Sequence, residues 1–118
     1  MAEKDVLGAW GEELAAVALE ADGYRIIDRN WRCAQGEIDL VAMDGSDTVF
    51  VEVKTRSSTA FGHPLEAITM IKLSRLQRLA MAWCVAHPAV HARIRIDVVP
   101  VIAPRSGEPT IEHLKRVF

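Results

Sequence analysis

Cysteine and aromatic residues are scarce in this sequence of 118 residues, and no long apolar run is present. The two cysteines, Cys33 and Cys84, lie far apart and are not spaced like metal ligands. Because the amino terminus also lacks an apolar stretch, free thiols in a reducing cytoplasm are expected rather than a secreted, disulfide-bonded domain. No apolar run reaches the roughly 18 residues of a membrane span, so a soluble, cytoplasmic protein without membrane contact is expected.

An excess of positive charge is absent too, since the formal net charge is −2. This excludes a protein that coats nucleic acid through bulk positive charge, so any nucleic-acid contact requires a local patch. The histidines, at positions 63, 87, 91 and 113, show no metal-ligand spacing. The length and the ordinary share of apolar residues predict a single domain over residues 1–118, large enough to bury a core.

Apolar periodicity predicts a chain in which helices and strands alternate. Residues 5–22 and about 68–86 have the spacing of amphipathic helices. Runs rich in β-formers predict strands at 24–31, 37–43, 48–56 and 92–103, with a further short strand at 110–114. Gly8 and Gly11 are unusual inside the first helix and indicate close packing of its first turn on a neighbour. The order α-β-β-β-α-β(-β) predicts an α/β fold with a mixed sheet flanked by helices.

The second and third strands form a predicted hairpin, because Asp44-Gly45-Ser46-Asp47 is a strong turn signal. A two-residue or a four-residue loop pairs Met43 with Thr48, which places Asp39 directly opposite Glu52. If Asp44-Gly45 is the turn, the pairing slips by two and Asp39 becomes a diagonal neighbour of Glu52. A three- or five-residue loop breaks the alignment.

Strand alternation separates charged from apolar residues on both strands of the hairpin. Glu37 and Asp39 share one face of the second strand, and Glu52 and Lys54 share one face of the third. The opposite faces are predicted to carry Ile38, Leu40 and Ala42 on one strand and Val49, Val51 and Val53 on the other.

Two directly opposed carboxylates repel each other, and a divalent cation between them removes that cost. Mg²⁺ favours one or two carboxylates together with water and substrate phosphate, which makes Asp39 and Glu52 candidate ligands for Mg²⁺ or Mn²⁺. Lys54 could then orient an attacking water or stabilise charge that develops on a phosphate. The alternative is a solvated sheet face on which Lys54 pairs with Glu37. The apolar flanks of both acids indicate central strands, where unpaired charge is costly, and favour the functional interpretation.

Asp39 followed by Glu52-Val53-Lys54 resembles the PD-(D/E)xK nuclease superfamily, with Ile38 where the motif has proline. Four segments in this order resemble the YraN family of endonuclease-like proteins: Gly8-x-x-Gly11-Glu12, Gly36-Glu-Ile-Asp39-Leu, Phe50-Val-Glu-Val-Lys-Thr-Arg56 and Gly62-x-Pro64-x-Glu66-Ala67. The match covers nearly the whole chain.

The resemblance implies a restriction-endonuclease-like fold and a metal-dependent endonuclease that hydrolyses DNA, with branched junction DNA among the expected substrates. It implies Asp39, Glu52 and the main-chain carbonyl of Val53 as metal ligands and Lys54 as the catalytic lysine. Glu12 would complete the site from the first helix, although the helix dipole also favours a glutamate in a first turn. A homodimer is implied by the likeness to junction resolvases only.

Several basic residues are candidates for phosphate contact. Arg56 lies two residues beyond Lys54 on the same strand face, while Lys72, Arg75 and Arg78 recur every three residues on the second helix. A solvated helix face is the alternative for the last three. A second functional hypothesis is a non-catalytic or partner-dependent nucleic-acid-binding module of a DNA-processing machinery. A hydrolase of another phosphate ester is a third, without a Gly-rich nucleotide loop to support it.

Overall fold

The computed structural model describes residues 3–60, 62–88 and 93–118. Its elements are α1 (Glu3–Ala21), β1 (Arg25–Cys33), β2 (Gly36–Asp44), β3 (Asp47–Arg56), α2 (Met70–Ala86), β4 (Arg93–Ile102) and β5 (Thr110–Ile111). The predicted α/β class and element order are confirmed. The start of the fourth strand at position 92, and the histidine at position 91, lie outside the described residues. No helix within the described ranges is long and apolar enough to cross a membrane.

The second helix begins at Met70 rather than near Ile68, because Ile68 and Thr69 have extended backbone conformations between a 3-10 turn at Pro64–Ala67 and the helix. Thr69 caps α2: its side chain accepts a hydrogen bond from the backbone N–H of Lys72. The chain then passes from β3 through α2 to β4, which pairs parallel to β3. Such a parallel connection needs a long crossover, and the helix supplies it.

The sheet contains five strands in the order β1-β2-β3-β4-β5. β1, β2 and β3 form an antiparallel meander, whereas β3 and β4 are parallel. The last residues extend along the outer side of β4: Val98 bonds with Leu114, and the N–H of Ile96 bonds to the carbonyl of Phe118. This segment protects an edge that would otherwise expose unpaired backbone groups.

The predicted hairpin register is confirmed, with Met43 opposite Thr48. Pairing closes at Asp44 and Asp47, so the loop is the two-residue form, Gly45-Ser46. Gly45 has φ 60, a left-handed conformation that glycine adopts without steric cost. The turn sequence therefore fixed the relative position of the two strands that carry the candidate site.

Apolar residues form one core on each face of the sheet. On one face of the sheet, α1 packs through Ala15, Ala16 and Leu19 on the strand residues Leu40, Ala42, Val49, Val51, Val53, Val99 and Val101. On the other face, α2 packs through Leu76, Leu79 and Trp83 on the strand residues Val41, Phe50 and Ile96. Both faces of the central strands are thus covered, as parallel pairing of β3 requires.

The predicted face of Ile38 is wrong, because Ile38 packs in the α2 core whereas Leu40 and Ala42 pack in the α1 core. Regular alternation would put all three together. The break lies beside Asn30 on β1, whose φ of 49 departs from strand geometry. A bulge between Ile26 and Asp28 disturbs the same strand pair.

A buried ion cluster joins β4 to the carboxyl-terminal segment. Arg95 is 4% exposed and donates hydrogen bonds to Asp97, to Asp44 and to the hydroxyl of Tyr24. His113 Nε2 lies 2.7 Å from a carboxylate oxygen of Asp97, which is fully buried. Burial acts to raise the pKa of Asp97, but the hydrogen bonds that its carboxylate receives, together with the charge of Arg95, lower that pKa below its usual value.

Candidate active site at the fork of β2 and β3

The candidate site lies where β2 and β3 diverge. Their paired positions run from Asp44–Asp47 to Leu40–Val51. β3 pairs with β4 along its whole length, so beyond Val51 it keeps only that neighbour among the described strands. The carboxylate of Asp39 accepts a hydrogen bond from the backbone N–H of Val53 at 2.8 Å. The side-chain oxygen of Asp39 thus accepts a hydrogen bond of the kind that a main-chain carbonyl accepts where two strands stay paired.

Asp39 and Glu52 meet at this fork. Burial, followed by the charge of Glu52, raises the pKa of Asp39 from 3.8 to about 8, against the effect of the Val53 hydrogen bond. Burial also raises the pKa of Glu52, against the opposing effect of the Lys54 charge. The two carboxyls therefore interact at the fork. A pair of partly buried, interacting acids is typical of catalytic and cation-binding sites.

Lys54 extends from β3 toward the same acids. Its ammonium nitrogen lies 3.8 Å from a carboxylate oxygen of Glu52, and both side chains are largely buried. The alternative pairing with Glu37 is not formed in the part of the chain that the structure describes: Glu37 pairs instead with Arg32 at 3.2 Å. Lys54 is therefore placed beside the acidic pair.

Close packing of α1 on β3 brings Glu12 to the site. A Cβ atom at Gly11 would overlap the hydroxyl of Thr55 and would lie 2.8 Å from the Thr55 Cβ atom. The predicted reason for a glycine is therefore confirmed at Gly11. It is wrong at Gly8, where no described atom lies within 4 Å of the Cβ position. The next residue after the contact, Glu12, lines the same pocket as Asp39.

Asn30 holds two carboxylates together, and sequence reasoning missed it. Its side-chain amide donates to Glu12 at 2.8 Å and to Glu37 at 3.0 Å. One oxygen from each of Glu12, Glu37 and Asp39 lies within 4.8 Å of the others. Glu13 takes no part, because it pairs with Arg29 at 2.8 Å. An asparagine in a strand gives no sequence signal for such a bridge, which depends on tertiary packing.

The donors at the fork fit a hard divalent cation. Carboxylate oxygens are the ligands that Mg²⁺ and Mn²⁺ prefer, and the main-chain carbonyl of Val53 belongs to the same chemical class. When two neighbouring carboxyls are both ionised, their repulsion costs free energy, and a cation between them lowers that cost. Asp39 belongs to both groupings at the fork: it interacts with Glu52, and one of its oxygens lies within 4.8 Å of oxygens of Glu12 and Glu37. Among the described residues Glu52 is not part of the second grouping.

The fork opens toward both sides of the sheet. A pocket of about 800 Å³ on the α1 side is lined by residues that include Glu12, Asp39, Glu52, Val53, Lys54 and Arg56. A smaller pocket of about 210 Å³ on the α2 side is lined by Glu37, Glu52 and Lys54 together with Lys72 and Arg75. Glu52 and Lys54 thus border both spaces.

Three of the four basic residues predicted to contact phosphate lie at these pockets. The charges of Lys72 and Arg75 act on Glu52 and oppose the rise of its pKa. Arg56 lines the larger pocket. Arg78 lines a different surface with Met81 and Val85, because its position on α2 turns it away from the fork.

The fourth motif segment has a structural role. Gly62 has φ 105, which favours glycine, and His63 and Glu66 form a capping box around the 3-10 turn. His63 Nε2 also lies 2.7 Å from a carboxylate oxygen of Glu112. These contacts connect the loop after β3 to the segment that covers β4.

Fold and site together define a small α/β protein with an acidic fork between two central strands. A family model described as "Uncharacterised protein family UPF0102" matches residues 11–101. The chain belongs to this family, which confirms the predicted YraN-like membership. It is 56% identical to a UPF0102 protein of Beutenbergia cavernae over 117 residues, 99% of each chain. A UPF0102 protein of Arthrobacter sp. (strain FB24) shows the same identity and coverage. Another, of Frankia alni, is 50% identical over 118 residues, covering 100% of this chain and 98% of the relative.

Proposed function

We propose that this protein is a metal-dependent endonuclease of the PD-(D/E)xK type that hydrolyses DNA phosphodiester bonds. The observation that carries the proposal is that the partly buried carboxyls of Asp39 and Glu52 lie close enough at the fork for each to affect the pKa of the other. Lys54 lies 3.8 Å from Glu52 on the same strand. A purely structural hairpin has no use for two neighbouring, partly buried acids, because each costs free energy without a partner.

The fold supports this assignment. An antiparallel meander followed by a helical crossover to a parallel strand, with a helix on each face, is compatible with the restriction-endonuclease-like architecture. Glu12, Asp39, Glu52 and Lys54, from three of the four motif segments, line one pocket where the strands diverge. The fourth segment shapes the loop after β3 instead.

The residues that would hold the cation are Asp39, Glu52 and the carbonyl of Val53, with Glu12 beside them. A Mg²⁺ or Mn²⁺ ion bound there would polarise the phosphate and lower the pKa of a water molecule. Lys54 places a positive charge next to these groups, where it can orient the attacking water and stabilise negative charge on the phosphate oxygens.

Substrate binding is assigned to the basic residues around the two pockets. Lys72 and Arg75 on one side and Arg56 on the other can neutralise phosphates that flank the scissile one. Such contacts supply affinity without sequence specificity, and they weaken as salt concentration rises. The openness of the fork toward both faces fits a DNA strand that lies across it. Action on junctions and a homodimeric state rest on the resemblance to resolvases.

A second candidate function is a nucleic-acid-binding module that needs a partner for catalysis. The formal net charge of −2 favours it, because so little positive charge gives weak binding to DNA alone. The buried acidic pair favours catalysis, since a binding module gains nothing from it. The two functions differ in whether the isolated chain cuts DNA.

The test is cleavage of labelled linear, flapped and four-way-junction DNA in Mg²⁺ or Mn²⁺. Wild type is compared with Glu52→Gln and Lys54→Met, and Glu13→Gln is the matched control because Glu13 lies outside the site. We expect wild type and the control to cut, and both site variants to lose at least about 100-fold in rate. Folded wild-type protein that binds DNA but cuts none of these forms would instead support the binding module.

A further inference from the structure

Gly8 is a helical glycine that neither packing nor backbone conformation explains. It lies inside α1 and is not among the residues with positive φ. Apart from its chain neighbours and the backbone of its own helix, no described atom lies within 4 Å of the position that its Cβ would occupy. Glycine inside a helix lowers stability relative to alanine, because it loses more backbone entropy on folding. The fold alone would therefore favour alanine here.

The open space at Gly8 belongs to the larger pocket of the candidate site. Gly8, Glu12 and Asp39 line that pocket together. Gly8 precedes Glu12 by four residues, and residues with this spacing lie on the same helix face, one turn apart. The bare helix surface is thus directly next to the carboxylate that α1 contributes.

We propose that the backbone of α1 at Gly8 is a substrate contact, against which the sugar and base next to the scissile phosphate pack. This inference rests on the proposed nuclease function. Backbone amides this far into a helix are bonded to carbonyls of the preceding turn, so the surface offers van der Waals contact rather than hydrogen bonds. Such a surface suits a sugar or a base better than a phosphate.

The charges around the pocket also favour the sugar and base on the α1 side and the phosphate on the β3 side. Asp5 lies in the wall near Gly8 and repels a phosphate, whereas Lys54 and Arg56 lie in the wall formed by β3. A phosphate at the β3 wall leaves the sugar and base on the side of α1. The absence of a side chain at Gly8 then sets how closely the nucleotide approaches the acids.

The test compares Gly8→Ala and Gly8→Leu with wild type in three measurements: thermal unfolding, Mn²⁺ affinity and the kcat/KM of DNA cleavage. We expect Gly8→Ala to unfold at a higher temperature than wild type, since alanine is the better helix former, and yet to cut DNA more slowly. We expect Gly8→Leu to lose at least about tenfold in kcat/KM with unchanged Mn²⁺ affinity. The control Ala21→Leu adds nearly as much bulk, three carbon atoms instead of four, at an exposed position of α1 outside the pocket and should cut like wild type.

Each contrary result has a distinct meaning. If Gly8→Leu is folded, binds Mn²⁺ and cuts DNA like wild type, the substrate contact is overturned and the nuclease function stands. If Gly8→Leu loses Mn²⁺ affinity together with cleavage, the effect acts through Glu12 and the contact is also overturned. If wild-type protein cuts no DNA, the nuclease function fails and the contact at Gly8 falls with it.

Discussion

Replacing Asp39 with asparagine should remove a pH dependence from the stability of the metal-free protein. Burial and the charge of Glu52 raise the pKa of Asp39 from 3.8 to about 8 in the folded state. In the unfolded chain the pKa returns to roughly 3.9. Between these two pKa values the folded protein holds a proton that the unfolded chain has lost. The protonated carboxyl of Asp39 therefore contributes its full stabilisation below about pH 4, and this contribution disappears as the pH rises toward 8.

The magnitude follows from one proton. Between the two pKa values the free energy of unfolding falls by about 1.4 kcal/mol for each pH unit, so it should fall by about 2 kcal/mol from pH 5.5 to pH 7.0. The asparagine side chain is similar to the protonated carboxyl: its amide oxygen can accept from the Val53 N–H, and its amide group can donate toward Glu52. Asp39→Asn should therefore match wild type below about pH 4, exceed it by about 2 kcal/mol at pH 5.5 and exceed it by about 4 kcal/mol at pH 7.0.

The assay is guanidinium unfolding of both proteins at several pH values, in the presence of a chelator and followed by circular dichroism. Titrations far from the fork, including those of the Arg95–Asp97 cluster, contribute equally to both proteins and cancel in the difference. Equal loss of stability in wild type and Asp39→Asn over this range would refute the reasoning, because Asp39 would then be ionised in the folded protein.

Three further perturbations probe other contacts. Gly11→Ala should lower the free energy of unfolding by about 1–2 kcal/mol in urea titrations, because overpacking against Thr55 outweighs the gain in helix propensity; equal or higher stability would contradict the close approach. Asn30→Gly keeps a residue that tolerates positive φ but removes the side-chain amide that bridges the two carboxylates. Calorimetry should therefore show about 10- to 100-fold weaker Mn²⁺ binding, and unchanged affinity would argue against the bridge. Asp97→Ala leaves Arg95 buried without its main partner and should cost about 3–5 kcal/mol in thermal unfolding, where a loss below 1 kcal/mol would show that the cluster is dispensable.

The hairpin that carries the site was predictable from sequence because its determinants are local. The Asp44-Gly45-Ser46-Asp47 turn and the flanking period-2 pattern specify which residues oppose each other, and the observed pairing of Met43 with Thr48 follows. The same register brings Asp39 and Glu52 to one end of the hairpin, although the pairing stops at Leu40 and Val51, one residue before them. A one-residue error in the loop would have turned every side chain to the other face.

Features that depend on distant parts of the chain were not predictable. The break in alternation at Ile38 arises beside Asn30 on a neighbouring strand, and nothing near Ile38 in the sequence signals it. Gly8 and Gly11 look alike in sequence, yet only Gly11 meets another element. Arg78 shares the spacing of Lys72 and Arg75, and only the rotation of α2 on the sheet separates it from them.

The claim that the fork between β2 and β3 binds a divalent cation is tested most directly by calorimetric titration of Mn²⁺ into metal-free protein. Wild type is compared with Glu52→Gln, which removes a charge at the fork, and with Glu13→Gln, which removes an equal charge outside it. We expect wild type and Glu13→Gln to bind Mn²⁺ with the same affinity, and Glu52→Gln to bind at least about tenfold more weakly. Equal affinity in wild type and Glu52→Gln, or no binding to wild type, would contradict the claim.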